Sequence, residues 1–326
     1  MKNILLYSEK NYLQIFKKFL KNDKTFYEIN IPQPNFKNEI SAHLQFEAFC
    51  IQAAQTIDSQ FEKYYLLFSG GVDSQAMVLS FLKAEIQPRL IVLRYPNPNG
   101  GFFNDDDIDS AKEFLKKYSQ ITDVQFLDLD LLSFYETGQH WLYAEKYQCS
   151  SPQLTVHMWA QDLINQPCLL SWNIPNIYTY KSRPAILTPN FKFFSYLRFL
   201  EMNHKAGVPF FFLYYPEMFY SALLIPSLYQ ELKKALPPNY ITPYHTKVSA
   251  YNDAGFEVVA QKQKFTGFEK FKIYYSQLKF PEDQVLFNRT FRYPLEKKFD
   301  DNALLKVNLD QKFFQNYFYT NEKSTN

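Results

Sequence analysis

Glycine and cysteine are both scarce in this 326-residue chain, which contains 8 Gly and 3 Cys. The three cysteines, Cys50, Cys149 and Cys168, are widely spaced and form no CxxC pair. The sequence therefore does not predict a zinc ribbon or a paired redox site. An odd number of cysteines, with no signal-peptide pattern at the N-terminus, is typical of a reducing cytoplasm. We expect a cytoplasmic protein.

Long apolar runs and an excess of one charge are also lacking. The most apolar stretch, residues 208–226, contains Pro216 and Glu217 and is not a membrane span. The net charge of +2 gives no general attraction to nucleic acid, so an RNA partner would need a local basic patch. Aromatic residues, by contrast, make up 19% of the chain. At this length they predict a large core in one or two domains.

Strand-like and helix-like patterns alternate along most of the chain. Strand patterns occur at residues 64–68, 89–94, 123–129, 167–172 and 209–214. Helix patterns occur at residues 40–61, 76–83, 104–118, 151–164, 191–203 and 216–236. This alternation predicts βαβ units, and hence an α/β fold with a doubly wound parallel sheet. Ligands of such sheets bind at the carboxyl ends of the strands.

Proline-rich breaks suggest three parts. Residues 1–40 form a lead-in with a strand pattern at 4–7 and a helix pattern at 12–20. Residues 41–240 form the main domain, which ends near Pro237 and Pro238. Residues 241–326 are basic and aromatic. We expect the outer two parts to be small additions to the main domain.

One strand-to-helix turn contains two of the eight glycines. The strand pattern 64–68 is followed by Ser69-Gly70-Gly71-Val72-Asp73-Ser74 and then by a helix pattern. Adjacent glycines allow positive φ and a close approach to a ligand. The start of the helix directs N–H groups and the positive end of its dipole toward the same space, which favours phosphate. The serines add hydroxyl donors, and the aspartate fits a helix cap or a ligand to a phosphate-bound magnesium ion.

This hexapeptide resembles the SGGxDS loop of the N-type ATP pyrophosphatases, the PP-loop superfamily, which includes asparagine, GMP and NAD synthetases and tRNA-modifying enzymes. The resemblance implies a fold like that of the adenine nucleotide alpha hydrolases, with ATP and Mg²⁺ as cofactors. It implies cleavage of ATP to AMP and pyrophosphate through an adenylated substrate, with Asp73 and Ser74 in catalysis and Asp73 on the metal ion. The loop is not a Walker loop, because no lysine follows the glycines. The nucleotide-binding residues implied are Ser69, Gly70, Gly71, Val72, Asp73 and Ser74.

Two other places offer contacts to the nucleotide. Arg94 ends the second strand pattern, where it would either contact the nucleotide or form a surface ion pair. A late basic stretch contains Lys262, Lys264 and Lys270 on either side of Gly267. Because glycine is scarce in this chain, Gly267 suggests a turn that needs this residue. Leaving pyrophosphate needs positive charge, and the adenylating relatives supply a late lysine. We assign that role to Lys264, with a solvated basic face as the alternative.

Several further polar residues have structural interpretations. The acids at 105–107 suit the first turn of a helix and are a weaker candidate for a metal site. Acids in loops and histidines without metal-ligand spacing are usually solvated or packed. Cys149 has only Lys146 as a basic neighbour in sequence, so we expect it to be inert. The interpretation as solvated or packed side chains applies to Asp128, Asp130, His140 and His157.

The function expected is an ATP-dependent, AMP-forming ligase. A carboxylate or carbonyl oxygen of a small-molecule or nucleoside substrate would be adenylated, and an amine or ammonia would then attack. One alternative is modification of a nucleoside or tRNA base, with the C-terminal region as the binding patch. Another is a protein that binds adenine nucleotides without turnover. Residues 171–175 depart from the glycine- and acid-rich turn of asparagine synthetases, which argues against that particular acceptor.

Overall fold

The computed structural model describes residues 26–31, 42–171, 177–180, 183–233, 243–260, 267–283, 285–299 and 304–309. The strands are β1 Phe26–Ile31, β2 Tyr65–Leu67, β3 Leu90–Arg94, β4 Val124–Asp128, β5 Cys168–Leu169, β6 Ile177–Tyr180, β7 Arg183–Pro189, β8 Gly207–Val208 and β9 Leu304–Leu309. The helices are α1 Ala42–Gln60, α2 Val72–Lys83, α3 Asp105–Lys117, α4 Leu131–Glu136, α5 Gln139–Tyr147, α6 Pro152–Ile164, α7 Asn190–Met202, α8 Pro216–Leu223, α9 Pro226–Lys233, α10 Tyr244–Asp253, α11 Gly267–Lys279 and α12 Tyr293–Phe299.

Five strands form a parallel sheet in the order β4-β3-β2-β5-β8. From β2 the chain moves outward through β3 to β4, and then returns to the other side of β2 through β5 and β8. This change of direction opens a crevice at the carboxyl ends of β2 and β5, where ligands of such sheets bind. The prediction of an α/β fold with a doubly wound parallel sheet is confirmed.

The predicted helices at 40–61, 76–83, 104–118, 151–164 and 191–203 are confirmed as α1, α2, α3, α6 and α7. Their local signals are present in the structure. Pro152 occupies the first turn of α6, and the Ser151 hydroxyl accepts a hydrogen bond from the Leu154 N–H at 3.4 Å. Phe46, which lies off the main apolar stripe of α1, is fully buried between Phe212 and Phe256. Helix α1 is therefore covered on more than one face.

The predicted fifth strand at 209–214 is wrong. The strand that pairs with β5 is Gly207–Val208, two residues earlier, and Phe211–Leu213 form a turn of 3₁₀ helix. A short apolar run is compatible with either conformation, since both bury it. Position 207 favours the strand because a Cβ there would lie 2.8 Å from the Cys168 carbonyl oxygen, so only glycine permits this close pairing.

The single helix predicted at 216–236 is also wrong, because two helices, α8 and α9, occupy its described part. Pro226 begins α9. Proline lacks the N–H that would continue a helix and is favoured in a first turn. Helices α4 and α5 were not predicted, because a six-residue and a nine-residue helix present too few turns for a clear pattern.

A second, four-stranded sheet has the order β1-β9-β7-β6. Strand β9 is parallel to β1 and antiparallel to β7, and β6 and β7 are antiparallel. The predicted strand at 4–7 and helix at 12–20 lie outside the described residues. The division at residues 40 and 240 stays a prediction. Within the described part of the chain, no helix combines the length and apolarity needed to cross a membrane.

Candidate functional site

A cavity of about 410 Å³ lies at the carboxyl ends of β2, β3 and β5. Four helices begin at its edge: α2 and α3, which follow β2 and β3 in the chain, and α6 and α11, which follow other helices. The cavity is lined by Gly71, Asp73 and Ser74 from the start of α2, and by Ser151 and Gly267 from the starts of α6 and α11. Residues Asn104 and Asp107 contribute the start of α3. Several helix dipoles therefore add positive potential at one point.

The backbone at Gly70 is held by close packing against α3. Gly70 has φ +73°, and a Cβ there would lie 2.6 Å from both the Ala111 nitrogen and the Asp107 carbonyl oxygen. The Gly70 carbonyl oxygen accepts hydrogen bonds from Ser110 Oγ at 2.9 Å and Gln75 Nε2 at 2.7 Å. The loop is thus preorganised by neighbouring elements, and both its conformation and its packing require glycine.

The two serines of the loop form a chain of hydroxyl groups. Ser74 Oγ donates to the Gly71 carbonyl oxygen at 2.8 Å and lies 3.2 Å from Ser69 Oγ. Ser69 Oγ accepts from the Gly71 N–H at 3.3 Å. A serine hydroxyl has one proton to donate, and that of Ser74 is already used. Ser69 is therefore the donor in the contact between the two hydroxyl groups, and its proton can turn to an incoming anion without breaking a bond to the backbone.

Asp73 is held at both carboxylate oxygens by residues of α10. Lys247 Nζ lies 3.3 Å from Oδ2, and the Tyr251 hydroxyl donates to Oδ1 at 2.7 Å. The Lys247 side chain is 4% exposed and that of Asp73 is 17% exposed. Burial, followed by the Asp73 charge, raises the pKa of Tyr251 well above its usual value, so the phenol stays a donor. In the sequence Lys247 is one of many basic residues, and this pairing was not predicted.

Gln75 provides a second connection from the loop to the C-terminal region. Its side chain is fully buried. Nε2 donates to the Val259 carbonyl oxygen at 3.0 Å, and Oε1 accepts from the Val259 N–H at 2.6 Å. Because Nε2 also holds the Gly70 carbonyl oxygen, one amide connects the loop at residues 69–74 to Val259. Gln75 lies one position beyond the hexapeptide and was not predicted as a site residue.

The opposite wall of the cavity is apolar. Val92, Leu93, Tyr95, Leu154 and Phe268 line it. Tyr95 and Phe268 also belong to an aromatic cluster, whose other aromatic members are Phe103, Phe134, Tyr135, Phe271, Tyr275, Phe287 and Phe291. These rings pack at centroid distances of 5.0 to 6.4 Å, mostly tilted or edge-on, which suits their quadrupoles.

Gly267 joins this wall to α3. A Cβ on Gly267 would lie 2.1 Å from the Cβ of Asn104. Asn104 in turn donates to the Leu93 carbonyl oxygen at 2.7 Å and accepts from the Tyr95 N–H at 2.9 Å. Glycine is therefore required for a close approach of α11 to the end of β3, rather than for the turn that the sequence suggested.

Arg94 and the late lysines occupy different positions relative to the cavity. Arg94 Nε lies 2.5 Å from Asp128 Oδ1, its guanidinium stacks on Phe102 and Phe126, and it does not line the cavity. Lys270 Nζ lies 2.5 Å from Asp106 Oδ2. The contact of Arg94 matches the ion-pair alternative. Lys262 and Lys264 lie outside the described residues, so the role of Lys264 stays a prediction.

The remaining candidates mostly have structural contacts. Asp130 Oδ1 accepts the Ser133 N–H at the start of α4, and Asp105 Oδ2 accepts the Phe102 N–H. His140 is buried beside Tyr135 and Phe291, and burial lowers its pKa to about 4. Cys149 is fully buried, which fits an inert thiol. His157, by contrast, lines the cavity.

A magnesium ion fits the donor atoms of the cavity in part. Asp73 and Asp107 both line it, and one or two carboxylates together with phosphate oxygens are the usual ligands of this ion. Among the described residues there is no group of three or more His, Cys, Asp and Glu side chains that could hold a metal by themselves. The site therefore suits a metal ion that arrives with phosphates.

Comparisons with known proteins add little to this description. No protein-family model matches the chain, and no curated protein matches it. A solved structure described as NMN synthetase from Francisella tularensis is similar over 70% of this chain and 100% of its own, with 12% identity and a TM-score of 0.30. A similarity this distant supports no conclusion about activity.

Proposed function

We propose that this protein is an ATP-dependent enzyme of the PP-loop type that forms AMP and pyrophosphate. It adenylates a carboxylate or carbonyl oxygen of a small-molecule substrate, and an amine or ammonia then attacks the activated carbon. The observation that carries the proposal is the position of the SGGVDS loop. It lies at the point where the strand order reverses, it is held rigidly by α3, and it opens into the cavity.

The loop supports binding of the β- and γ-phosphates. The helix that follows Gly71 has no side-chain cap among the described residues, so its first N–H groups suit an anion. The Ser69 hydroxyl adds a proton donor. Because Gly70 is fixed by packing rather than by the ligand, little conformational entropy is lost when the phosphates bind.

The shape of the cavity supports a nucleotide rather than phosphate alone. Its volume of about 410 Å³ falls within the usual range for small-molecule sites, roughly 300 to 1,000 Å³. The apolar wall at Val92, Leu93 and Phe268 suits a flat base, and the loop suits the polyphosphate. The α-phosphate then lies between the two, beside the remaining polar lining of Ser151, Gln153 and His157, where a second substrate can approach.

The reaction has two steps. An oxygen of the second substrate attacks the α-phosphorus of ATP, and the bond from that phosphorus to the bridging oxygen breaks, which releases pyrophosphate. The amine then attacks the activated carbon, AMP leaves with the shared oxygen, and the amine loses a proton. The loop N–H groups and the Ser69 hydroxyl group stabilise charge on the leaving pyrophosphate, and Ser74 orients the Ser69 hydroxyl group. Orientation in the cavity provides much of the rest.

Basic and acidic residues complete the proposed site. Asp73, with Asp107, would hold a magnesium ion that neutralises phosphate charge. Lys264 keeps its predicted role toward pyrophosphate. Lys247 is the cation that packs directly against the loop through Asp73.

The first experiment measures thermal stabilisation by ATP, AMP and pyrophosphate with magnesium, in the wild type and in Asp73→Asn. A ligand at 100 times its dissociation constant adds about 2.7 kcal/mol to the free energy of unfolding. We expect ATP and pyrophosphate to stabilise the wild type, and this ligand-dependent shift to be lost in Asp73→Asn. The shift is compared with each variant's own baseline, because removing one partner of the Lys247 pair destabilises the free protein as well.

Asp109→Asn is the matched control. This aspartate lies on the exposed face of α3 and pairs at the surface with Lys112, so both baseline and ligand shift should stay at wild-type values. Absence of any shift with ATP in the wild type would contradict the proposal. Binding of ATP without AMP formation, for any carboxylate or carbonyl substrate supplied, would favour the non-catalytic alternative.

A further inference from the structure

The carboxylate of the anion loop is already neutralised by a residue from a distant helix. Lys247 Nζ and the Tyr251 hydroxyl of α10 occupy the two oxygens of Asp73, at 3.3 and 2.7 Å. A divalent metal ion bound by Asp73 would use one of these oxygens, and it carries the same sign of charge as Lys247. In the ligand-free site, metal and lysine therefore compete for one carboxylate.

The burial of the pair makes this competition strong. The Lys247 side chain is 4% exposed, and a charge so far from water is costly unless an opposite charge accompanies it. If a metal ion took Asp73 in the absence of a nucleotide, the ammonium group would lose this ion pair and would gain a nearby positive charge. A polyphosphate removes that penalty, because it brings several negative charges to the loop beside Lys247.

We propose that Lys247 competes with the divalent metal ion for Asp73, and that the nucleotide polyphosphate, by pairing with the lysine, releases Asp73 to the metal. Lys247 is then a positioning residue in the ligand-free state and a phosphate-binding residue in the complex. This inference rests on the proposed function, because it names the nucleotide as the ligand that moves the lysine. It makes metal binding conditional on nucleotide binding.

Tyr251 keeps the Asp73 carboxylate in place while the cation beside that carboxylate changes from Lys247 to the metal ion. Its hydroxyl donates to Oδ1, whereas Lys247 contacts Oδ2. The phenol ring packs against Phe212 and Phe256, which fixes its position, whereas the ammonium group of Lys247 is carried on a flexible four-carbon chain. Oδ2 is therefore the oxygen that changes between lysine and metal, and Oδ1 the one that holds the carboxylate in position.

The test is Mn²⁺ binding to the full chain without nucleotide, measured by electron paramagnetic resonance. We expect Lys247→Met to bind Mn²⁺ at least about ten-fold more tightly than the wild type, because Asp73 keeps its hydrogen bond from Tyr251 but loses the positive charge beside it. Lys247→Arg, which keeps the charge, should stay at the wild-type affinity. Adding Asp73→Asn to Lys247→Met should remove the gain, which would show where the ion binds.

A second measurement follows ATP binding in EDTA by calorimetry. Metal-free ATP should bind the wild type at least about ten-fold more tightly than Lys247→Met, because the lysine then supplies the positive charge. With magnesium the difference should shrink. Lys247→Gln, which keeps an N–H donor for Asp73 without the charge, is the replacement if Lys247→Met does not fold.

The two arms separate this inference from the proposed function. If ATP stabilises the wild type but neither Lys247→Met nor Lys247→Gln gains Mn²⁺ affinity, the competition is overturned while the proposed function stands. If ATP binds under no condition, the proposed function fails, and with it the role given to the nucleotide here.

Discussion

The two walls of the cavity are held by different kinds of contact. The loop wall, residues 69–75, depends on a few directional bonds: Ser110 and Gln75 on the Gly70 carbonyl oxygen, and Lys247 and Tyr251 on Asp73. The aromatic cluster of the other wall depends on many ring contacts, such as the edge-on contacts of Phe271 with Phe103 and Phe287 and its stacking on Tyr135. Directional bonds fix individual atoms of the loop, whereas ring packing fixes a volume. We therefore expect single changes to affect the loop wall more.

The largest effect is expected for Gly70→Ala. The new Cβ would meet α3 backbone atoms at 2.6 Å and would force a side chain into φ +73°. We expect a loss of at least about 3 kcal/mol in the free energy of unfolding, from left-handed strain and overpacking together, and loss of the ATP-induced thermal shift. Chemical denaturation measures the free energy of unfolding, and a thermal-shift assay with ATP measures the ligand-induced stabilisation.

Gly138→Ala is its control. Gly138 has a similar φ of +76°, but a Cβ at this position would have no described atom within 4 Å, so only the backbone strain of about 1 to 2 kcal/mol applies. Equal losses in the two variants would mean that packing against α3 contributes nothing to the loop.

Gln75→Leu should have the next largest effect. The change removes hydrogen bonds to the Gly70 carbonyl oxygen and to both polar groups of Val259. Leaving buried partners unsatisfied costs about 1 to 3 kcal/mol, and the affinity for pyrophosphate should fall because the loop loses one of its two supports. Ser80→Ala on the same helix, whose hydroxyl bonds locally to the Ala76 carbonyl oxygen, should cost less than about 1 kcal/mol. A Gln75 variant with normal pyrophosphate affinity would contradict this support role.

The third prediction concerns pH and His140, the buried imidazole beside the aromatic cluster. Its pKa is lowered by burial to about 4 in the native state. Below about pH 6.5 the imidazole therefore binds a proton in the unfolded chain but not in the native state. Its contribution to stability is complete above that pH and falls on acidification, by up to about 1.4 kcal/mol per pH unit, until about pH 4.

His140→Gln should flatten this decline, whereas His245→Gln, at an exposed position, should not. Denaturant unfolding at pH 7, 5.5 and 4.5 gives the three points for each variant. If the difference between the His140 variant and the wild type were the same at all three pH values, the lowered pKa would be refuted.

The smallest effect is expected for Phe271→Leu in the aromatic cluster. Phe271 is fully buried, but leucine fills much of its volume and other rings can close around it. We expect a loss of about 1 to 2 kcal/mol in the free energy of unfolding, with the ATP-induced shift retained. Loss of that shift would show that the cluster positions the nucleotide as strictly as the loop does, and the contrast between the walls would disappear.

Local signals explain what could be predicted. The order of strands and helices and the position of the SGGVDS loop depend on patterns within about ten to twenty residues, and the parallel sheet follows from them. The conformation of the run at 209–214 could not be predicted in this way. Its residues are apolar because they are buried, and a buried strand and a buried turn have the same composition. The break at Pro226 was readable from the sequence, since proline rarely lies inside a helix.

The partners of the loop could not be predicted from the sequence. Lys247, Tyr251 and Val259 lie more than 170 residues beyond Asp73 and Gln75 in the chain, and nothing local distinguishes a buried lysine from the exposed ones around it. One indirect signal existed. The chain has few glycines, so Gly267 indicated a position where a side chain is not tolerated. The sequence did not indicate that Asn104 is the residue packed against it.

The pairing of β1 with β9 has a consequence for how the chain acquires its shape. Phe26 lies opposite Leu304, so the two strands that meet come from near opposite limits of the sequence. Contacts of such long range form slowly, because a very large loop must be closed first. During synthesis the four-stranded sheet cannot be completed until residue 309 has been added. The last strand of the parallel sheet, β8, is synthesised about one hundred residues earlier. The parallel sheet that carries the loop can therefore assemble on the ribosome while β1 still lacks its neighbour.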